Sequence, residues 1–110
     1  MNPYNTWTWD GTNWSEQSPA TQPPLVYDAG AAYDPIIQHP VMFGGAIGTT
    51  NQSSTWEWNG STWAQKQPVH SPSARQLFGM AYDETLGHIV IFGGQDNTGY
   101  RDDTWELAVK

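Results

Sequence analysis

A 49-residue internal repeat is the feature that most constrains how this chain can fold. The segment Thr6–Trp14 recurs in similar form as Thr55–Trp63, and the two starts, at 6 and 55, are 49 positions apart. The same spacing separates two Ala-Tyr-Asp triplets, which begin at 32 and 81, and two Phe-Gly-Gly triplets, which begin at 43 and 92. Each period is therefore one stacking unit. Repeat 1 covers about 6–54, repeat 2 about 55–103, and a third repeat starts over 104–110.

Each period contains four segments with the pattern of short antiparallel strands. In repeat 2 the first segment alternates tryptophan with polar residues, which is typical of a half-buried strand. Asn59 and Gly60 then favour a type I′ hairpin turn. The proline-rich connector over 67–73 is excluded as a central strand, because proline has no backbone N–H to donate. The predicted strands cover 55–58, 62–66, 76–83 and 88–92. The sequence thus predicts an all-β fold in one unit spanning 1–110.

The order of these motifs resembles the kelch repeat, and is most similar to bacterial-type variants with a Trp-x-Trp-[Asp/Asn]-Gly hairpin. The shared features are Ala-Tyr-Asp, an apolar strand, Phe-Gly-Gly, a loop, and Thr-Trp-Glu-Trp-Asn-Gly followed by another tryptophan; they extend over nearly the whole chain. The resemblance implies that each repeat is a four-stranded antiparallel blade of a β-propeller. It also implies that seven tryptophans pack between neighbouring blades. They are Trp7, Trp9, Trp14, Trp56, Trp58, Trp63 and Trp105.

Two such blades leave two apolar outer faces, because a propeller blade buries each face against a neighbour. The resemblance therefore implies association with further copies of the chain. Three copies give a closed six-bladed propeller, held by a heterologous contact that closes into a ring. Segments 6–10 and 104–109 both correspond to the third strand of a blade and would compete for one position. We expect 104–109 to complete a three-strand unit and the N-terminal segment to supply an outer strand, in its own chain or a neighbouring one.

Composition excludes several kinds of function. A formal net charge of −7 with four Lys and Arg residues argues against nucleic-acid binding. No apolar run approaches the roughly 18 residues that a membrane span needs. There is no cysteine, which excludes a cysteine nucleophile and the copper radical chemistry of some kelch-fold oxidases, since that chemistry needs a Cys–Tyr cross-link. We expect no metal or cofactor, and we expect His39 and His88 to lie in surface turns.

The long loops predict one candidate binding face. In an antiparallel blade the loops after the second and fourth strands share one side, and functional residues on rigid scaffolds are usually carried by such loops. Four residues there are candidates for binding a sugar or a peptide: Arg75, Tyr100, Arg101 and Asp102. Arg75 follows the proline-rich connector, where kelch repeats often carry an arginine that makes structural contacts or binds acidic ligands. The other three form an arginine–aromatic–acid cluster.

Three functions stay open on this reading. The first is a self-assembling propeller scaffold or interaction module without catalysis, as a natural or engineered piece of a propeller. The second is a lectin-like carbohydrate-binding propeller, favoured by the aromatic residues and repeated loops, although packing explains the tryptophans equally well. The third is a propeller-type hydrolase, which needs a pair of carboxylates in the central funnel that no motif identifies. We expect the first of these, with no catalytic residues.

Overall fold

In the computed structural model, which describes residues 5–109, the chain is built of short β-strands joined by turns and loops. This confirms the predicted all-β class. The strands are β1 (Trp7–Trp9), β2 (Trp14–Glu16), β3 (Gly30–Asp34), β4 (His39–Phe43), β5 (Ala46–Ile47), β6 (Thr50–Asn51), β7 (Thr55–Trp58), β8 (Trp63–Lys66), β9 (Arg75–Gln76), β10 (Gly79–Asp83), β11 (His88–Phe92), β12 (Gln95–Asp96), β13 (Gly99–Tyr100) and β14 (Thr104–Leu107). Over 5–109 there is no helix with the length and apolarity that a membrane crossing needs.

The strands form three main antiparallel units. The N-terminal hairpin is β1 paired with β2. The two larger sheets are named by the repeat that supplies their first two strands: the first-repeat sheet has the order β3-β4-β7-β8, and the second-repeat sheet has the order β10-β11-β14. Their outer strands come from the repeat that follows, β7 and β8 from repeat 2 and β14 from the third. Two small sheets, β5-β6 and β13-β12-β9, lie in the loops. Equivalent strands pair in equivalent register: Met42 faces Trp56 in the first-repeat sheet, and Ile91 faces Trp105 in the second. The sequence repeat is therefore a repeat of strand pairing.

The backbone conformation repeats at the glycines that follow each apolar strand. Gly44 and Gly45 have φ of 70° and 92°, and their counterparts Gly93 and Gly94 have 69° and 94°. These left-handed values suit glycine, which has no Cβ to clash. A Cβ on Gly44 would lie 2.7 Å from the carbonyl oxygen of Arg75, so the chain also needs glycine there for a close approach.

The turn between β7 and β8 differs from the predicted type I′ turn. That type requires positive φ at both central residues. The backbone N–H of Asn59 donates to the carbonyl of Thr62 at 3.1 Å, so the central residues are Gly60 and Ser61. Of these, Gly60 alone has positive φ, and the type I′ prediction was wrong. The side chain of Asn59 explains the shift, because its Oδ1 accepts from the backbone N–H groups of Ser61 and Thr62.

The polar segments 46–54 and 95–103, expected to be loops, contain the two-residue strand pairs β5-β6 and β12-β13. Strand β12 also pairs with β9, so the connector after β8 is tied to the loop before β14. Two-residue strands are too short to show hydrophobic alternation, which explains why the sequence pattern missed them.

The core lies between the two repeat sheets. Alternate residues of β4 and β11 point into it, and Val41, Phe43, Ile89, Ile91 and Leu107 are fully buried in one cluster. Alternation along a strand sends every second side chain to the opposite face. Met42 accordingly lies on the other face of the first-repeat sheet, where it lines a cleft of about 400 Å³ together with residues of the N-terminal hairpin and Trp63.

We expect Gly44→Ala to destabilise the chain more than Gly48→Ala. Both glycines have positive φ, which costs an alanine about 1 kcal/mol. A Cβ at Gly44 also meets Arg75 and Phe78, whereas nothing lies within 4 Å of one at Gly48. Overpacking adds about 1–3 kcal/mol at Gly44. Urea unfolding followed by tryptophan fluorescence measures both, and equal losses of unfolding free energy would contradict the close approach.

Candidate functional site

Arg75, one of the four candidate binding residues, is buried inside the structure with a relative exposure of 0%. Its guanidinium forms a bidentate ion pair with Asp103: Nη1 donates to Oδ1 at 2.7 Å and Nη2 to Oδ2 at 3.1 Å. Nη1 also donates to the carbonyl of Gly93 at 2.9 Å, and Nη2 to Ser73 Oγ at 3.0 Å. The planar fork of arginine fits this arrangement, which lysine cannot reproduce.

The backbone of Arg75 reaches the first repeat while its side chain holds the second. Its N–H donates to the carbonyl of Gln52 at 3.2 Å, and its carbonyl accepts from the N–H of Gly45 at 3.0 Å. Arg75 therefore joins the two repeats at one end of the core. In this arrangement the guanidinium is not presented to solvent, and we leave Arg75 out of the candidate binding surface.

Sequence reasoning missed Asp103, the partner of Arg75. The repeat itself carries a signal for it, because the positions equivalent to 75 and 103 in repeat 1 are Val26 and Ser54. A charged pair in one repeat thus stands where the other has an uncharged pair. Hydrogen bonds from Arg75 and then from the Trp105 indole hold the pKa of Asp103 well below its usual range, although burial opposes them.

A second polar cluster, on the loop surface, is centred on Asp96. Thr98 donates to Oδ1 from its backbone N–H at 2.8 Å and from its hydroxyl at 2.7 Å. Ser73 Oγ donates to Oδ2 at 2.8 Å, and Arg101 Nε lies 3.1 Å from that same oxygen. The two hydrogen bonds from Thr98, with smaller contributions from Ser73 and Arg101, lower the pKa of Asp96 to about 2. The carboxylate is therefore ionised and fixed at neutral pH.

The structure brings Tyr100, Arg101 and Asp102 together on one exposed loop. Tyr100 is 86% exposed, and Asp102 is also exposed. Arg101 is partly engaged, because its guanidinium pairs with Asp96 and donates weakly to Thr98 Oγ1 at 3.4 Å. An exposed aromatic ring and a fixed cation on one loop are groups that can bind a sugar or a peptide. It contains no nucleophile with a neighbouring base.

A third polar cluster was missed by the sequence analysis. His39 lies at the start of β4, not in the turn before it, and its Nδ1 contacts Oε2 of the buried Glu57. Lys66 Nζ lies 3.1 Å from Oε1 of the same carboxylate. Burial raises the pKa of Glu57, but hydrogen bonds from Lys66 and His39 outweigh it, and the net shift is downward. The cluster places His39 and Lys66 against the carboxylate of Glu57 at the edge of the core.

The seven tryptophans differ in burial. Trp56 and Trp58 on β7 are buried, whereas Trp9 and Trp14 of the N-terminal hairpin are more than half exposed. Tilted ring contacts join Trp9 to Trp14 and Trp58 to Trp63, with centroids 5.5 Å apart in both. The remaining tryptophans are partly buried: Trp7, Trp63 and Trp105.

Within the part of the chain that the structure describes, no three His, Asp or Glu residues are grouped so as to hold a metal ion. No family model and no curated protein matches this chain.

The ionised forms of Asp96 and Asp103 should make stability fall at acid pH. Both folded pKa values lie below the ordinary value of 3.8. Their contribution is complete above that value and is lost as pH falls through the lower folded pKa values. We expect the unfolding free energy to decline steadily from pH 5 to pH 2.

Asp103→Asn should flatten this decline, and Asp102→Asn, which removes one charge from the exposed neighbour, should keep the native slope. Arg75→Ala should cost about 2 kcal/mol or more at pH 7, because it leaves buried acceptors without donors. Denaturant titrations at several pH values measure all three variants. An unchanged slope in Asp103→Asn would show that the Arg75 pair does not set the acid response.

Proposed function

We propose that this chain is a building block of a kelch-like β-propeller, which associates with further copies of itself and acts as a binding scaffold without catalysis. Each repeat sheet is a blade in this proposal. Three copies, with two blades each, make a closed six-bladed ring. The support comes from the faces of the two sheets, compared at positions that the 49-residue repeat makes equivalent.

The observation that carries the proposal is the contrast between Phe43 and Phe92. They are equivalent residues at the ends of β4 and β11, yet Phe43 is 0% exposed and Phe92 is 55% exposed. The difference arises because the second-repeat sheet covers Phe43, and nothing in the described chain covers Phe92 in the same way. We name the face that carries Phe92 the open donor face. Its other members are less buried than their counterparts in the first-repeat sheet: Val90, Thr104 and Glu106.

A complementary surface lies on the far side of the first-repeat sheet. The second-repeat sheet packs Met80 and Tyr82, both partly buried, against the core. Their counterparts in the first-repeat sheet are Ala31 and Tyr33; Ala31 is exposed and Tyr33 is 54% exposed. We name this surface the open acceptor face. It lies on the same side of the sheet as the N-terminal hairpin, whose Trp7 lines a cleft together with Met42 and Trp63.

The two open faces fit one another because the chain already contains one copy of their contact. The face of the first-repeat sheet that is buried by the second is equivalent to the open donor face. The face of the second-repeat sheet that is buried by the first is equivalent to the open acceptor face. A second copy can therefore repeat the contact between the sheets. Such a contact is heterologous, and it ends in a ring when the rotation closes.

The exposed aromatic residues of the two open faces favour the same conclusion. Isolated exposed apolar side chains are normal, but contiguous apolar patches mark interaction sites. Phe92 and Tyr33 are flanked on their own faces by further apolar side chains, Val90 and Met42 respectively. The acidic charge of −7 per chain opposes association at low salt. Association should therefore strengthen with ionic strength.

Carbohydrate binding is a second candidate, favoured by one observation. Tyr100 is the most exposed aromatic residue of the described chain, and it lies on a loop that Asp96 and Arg101 hold in place. Aromatic rings of this kind stack on the apolar face of a sugar. Calorimetric titration with simple sugars tests the idea, and Tyr100→Ala should abolish any heat of binding. Equal binding by native protein and Tyr100→Ala would rule out this loop.

We expect Phe92→Asp to prevent self-association. The substitution places a carboxylate where the proposed contact buries an aromatic ring, and an unpaired buried charge is strongly unfavourable. Tyr100→Asp is the matched control, because it makes the same kind of change at an exposed aromatic residue on the loop surface. Sedimentation equilibrium of the 110-residue chain measures both. The native chain and Tyr100→Asp should assemble, and Phe92→Asp should sediment as a single chain.

The self-assembly proposal fails if Phe92→Asp assembles as the native chain does. It fails equally if the native chain stays a single chain at every concentration tested. A circular dichroism spectrum of Phe92→Asp shows whether the variant keeps its β-structure, because Phe92 is exposed in the single chain and its replacement should not unfold it.

A further inference from the structure

We infer that strand β2 of a second copy completes the second-repeat sheet, by pairing with the open edge of β14 and placing its Trp14 indole against Thr55. The inference rests on the proposed self-assembly and specifies how the copies are joined. It follows from three observations: the unpaired edge of β14, the repeat equivalence of β2 and β8, and a buried hydroxyl without a partner.

The edge of β14 is the first observation. In the first-repeat sheet, β7 pairs with β4 on one side and with β8 on the other. Strand β14 is the counterpart of β7 and pairs with β11, but over residues 5–109 no strand pairs with its other edge. An open strand edge presents unpaired N–H and C=O groups and is a template for pairing with another chain. The second-repeat sheet thus lacks a counterpart of β8.

The repeat identifies β2 as that counterpart. Trp14 is 49 positions before Trp63, so β2 is equivalent to β8 in sequence. The pairing of β7 with β8 then fixes the register of the new contact. Glu57 faces Ala64, and Trp58 faces Trp63. In the completed sheet, Glu106 therefore faces Ser15 of the second copy.

The hydroxyl of Thr55 supplies an independent observation. Thr6, its counterpart, accepts a hydrogen bond from Trp63 Nε1 at 2.8 Å. Thr6 lies directly before β1 of the N-terminal hairpin, and Trp63 lies on β8, the outer strand of the first-repeat sheet. Thr55 Oγ1 is buried, and no hydrogen-bond partner satisfies it. Buried hydroxyls without partners are rare and costly.

The missing donor is identified by the same equivalence. The tryptophan that corresponds to Trp63 on the outer strand of the second-repeat sheet is Trp14 of the added β2. Trp14 is 62% exposed in the single chain. Addition of β2 from a second copy therefore supplies the indole N–H that Thr55 lacks and covers an exposed aromatic ring.

Within one copy, β2 does not reach the open edge of β14. The N-terminal hairpin contacts the first-repeat sheet on the face of Met42 and Trp63, while the second-repeat sheet covers the opposite face. The four-stranded sheet thus separates β2 from β14 within one chain. A second copy that docks its open acceptor face on the open donor face brings its own hairpin to the outer edge of the second-repeat sheet.

Strand β14 takes the place beside β2 that β1 holds in the single chain. Trp7 faces Glu16 in the hairpin, and by equivalence Trp105 faces Glu16 of the second copy in the completed sheet. Strand β14 is held more firmly in its own sheet than β1 is in the hairpin, because it has four residue pairs with β11 and its Leu107 is fully buried. Strand β1 has three pairs with β2 and exposes Trp9. Exchange therefore releases the strand that has no fully buried side chain.

Cysteine cross-linking tests the register directly, because the native chain has no cysteine. Ser15→Cys and Glu106→Cys are prepared as separate single variants, mixed in urea, refolded together and oxidised. Directly opposed residues of an antiparallel pair have Cα atoms about 4.5–5.5 Å apart, which a disulfide spans. We expect a cross-linked pair that contains one chain of each variant, detected by its mass under non-reducing conditions.

Thr104→Cys replaces Glu106→Cys in the control mixture. It places the thiol on the same face of β14 but two residues away, where the diagonal separation is too long for a disulfide. The Ser15–Glu106 mixture should give more mixed pair than this control, because only its Cα atoms are close enough for a disulfide. Equal yields in the two mixtures would overturn the proposed register.

A double-mutant cycle tests the Trp14–Thr55 contact without any cross-link. Trp14→Phe keeps a ring but removes the N–H, and should weaken association about fivefold. In a chain that carries Thr55→Val this loss should disappear, because there is no hydroxyl to satisfy. Trp9→Phe on β1 removes the same N–H, and its effect should not depend on Thr55→Val. Additive effects of Trp14→Phe and Thr55→Val would contradict the contact.

The outcomes separate the inference from the proposal on which it depends. A chain that stays single at all concentrations overturns both. If the chain assembles, but the Ser15–Glu106 cross-link is not selective and the effects of Trp14→Phe and Thr55→Val are additive, the self-assembly proposal stands. The exchange of β2 is then overturned. Selective cross-linking with coupled effects establishes the exchange.

Discussion

Each repeat sheet of this chain has two faces with apolar side chains, and the single contact between the sheets buries one face of each. That contact organises the rest of the molecule: it buries Val41 and Phe43 against Ile89, Ile91 and Leu107, and it leaves the faces of Phe92 and Tyr33 open. Alternation of side chains along a strand makes this unavoidable, because a strand that is apolar on both faces needs a neighbour on each side. The open faces are thus a consequence of the same pattern that builds the core.

The polar groups are arranged around that contact. Arg75 connects the two repeats at one end of the core, through its backbone to the loop of repeat 1 and through its side chain to Asp103. At another edge of the core, the carboxylate of Glu57 contacts the side chains of His39 and Lys66. Arg75 thereby ties the two repeats together, whereas His39, Glu57 and Lys66 lie on β4, β7 and β8 of one sheet. Arg75 and Asp96 hold the base of the exposed loop that carries Tyr100, through Asp103 and Arg101 respectively.

The strands over 55–58 and 88–92 were predicted at their observed bounds, because they carry alternation or a continuous apolar run. The predicted strand over 76–83 was wrong at its start, since β10 begins at Gly79, after Leu77 with a φ of 60°. The type I′ turn at Asn59 was wrong, since the Asn59 side chain caps the turn and moves its centre by one residue. The burial of Arg75 depends on Asp103, which lies 28 residues later and makes no local pattern. Tertiary pairs such as His39 with Glu57 are likewise set by the register between strands. Tyr100, Arg101 and Asp102 could be grouped from the sequence because they are consecutive, and their role in binding stays a prediction.

We expect the open faces of one chain to be covered by another chain. Light scattering of the 110-residue chain after size exclusion, repeated over a wide range of concentration, tests it most directly. We expect one discrete species of three times 12.3 kDa, favoured by added salt because each chain carries a charge of −7. A species of 12.3 kDa that persists at the highest concentration would contradict the account.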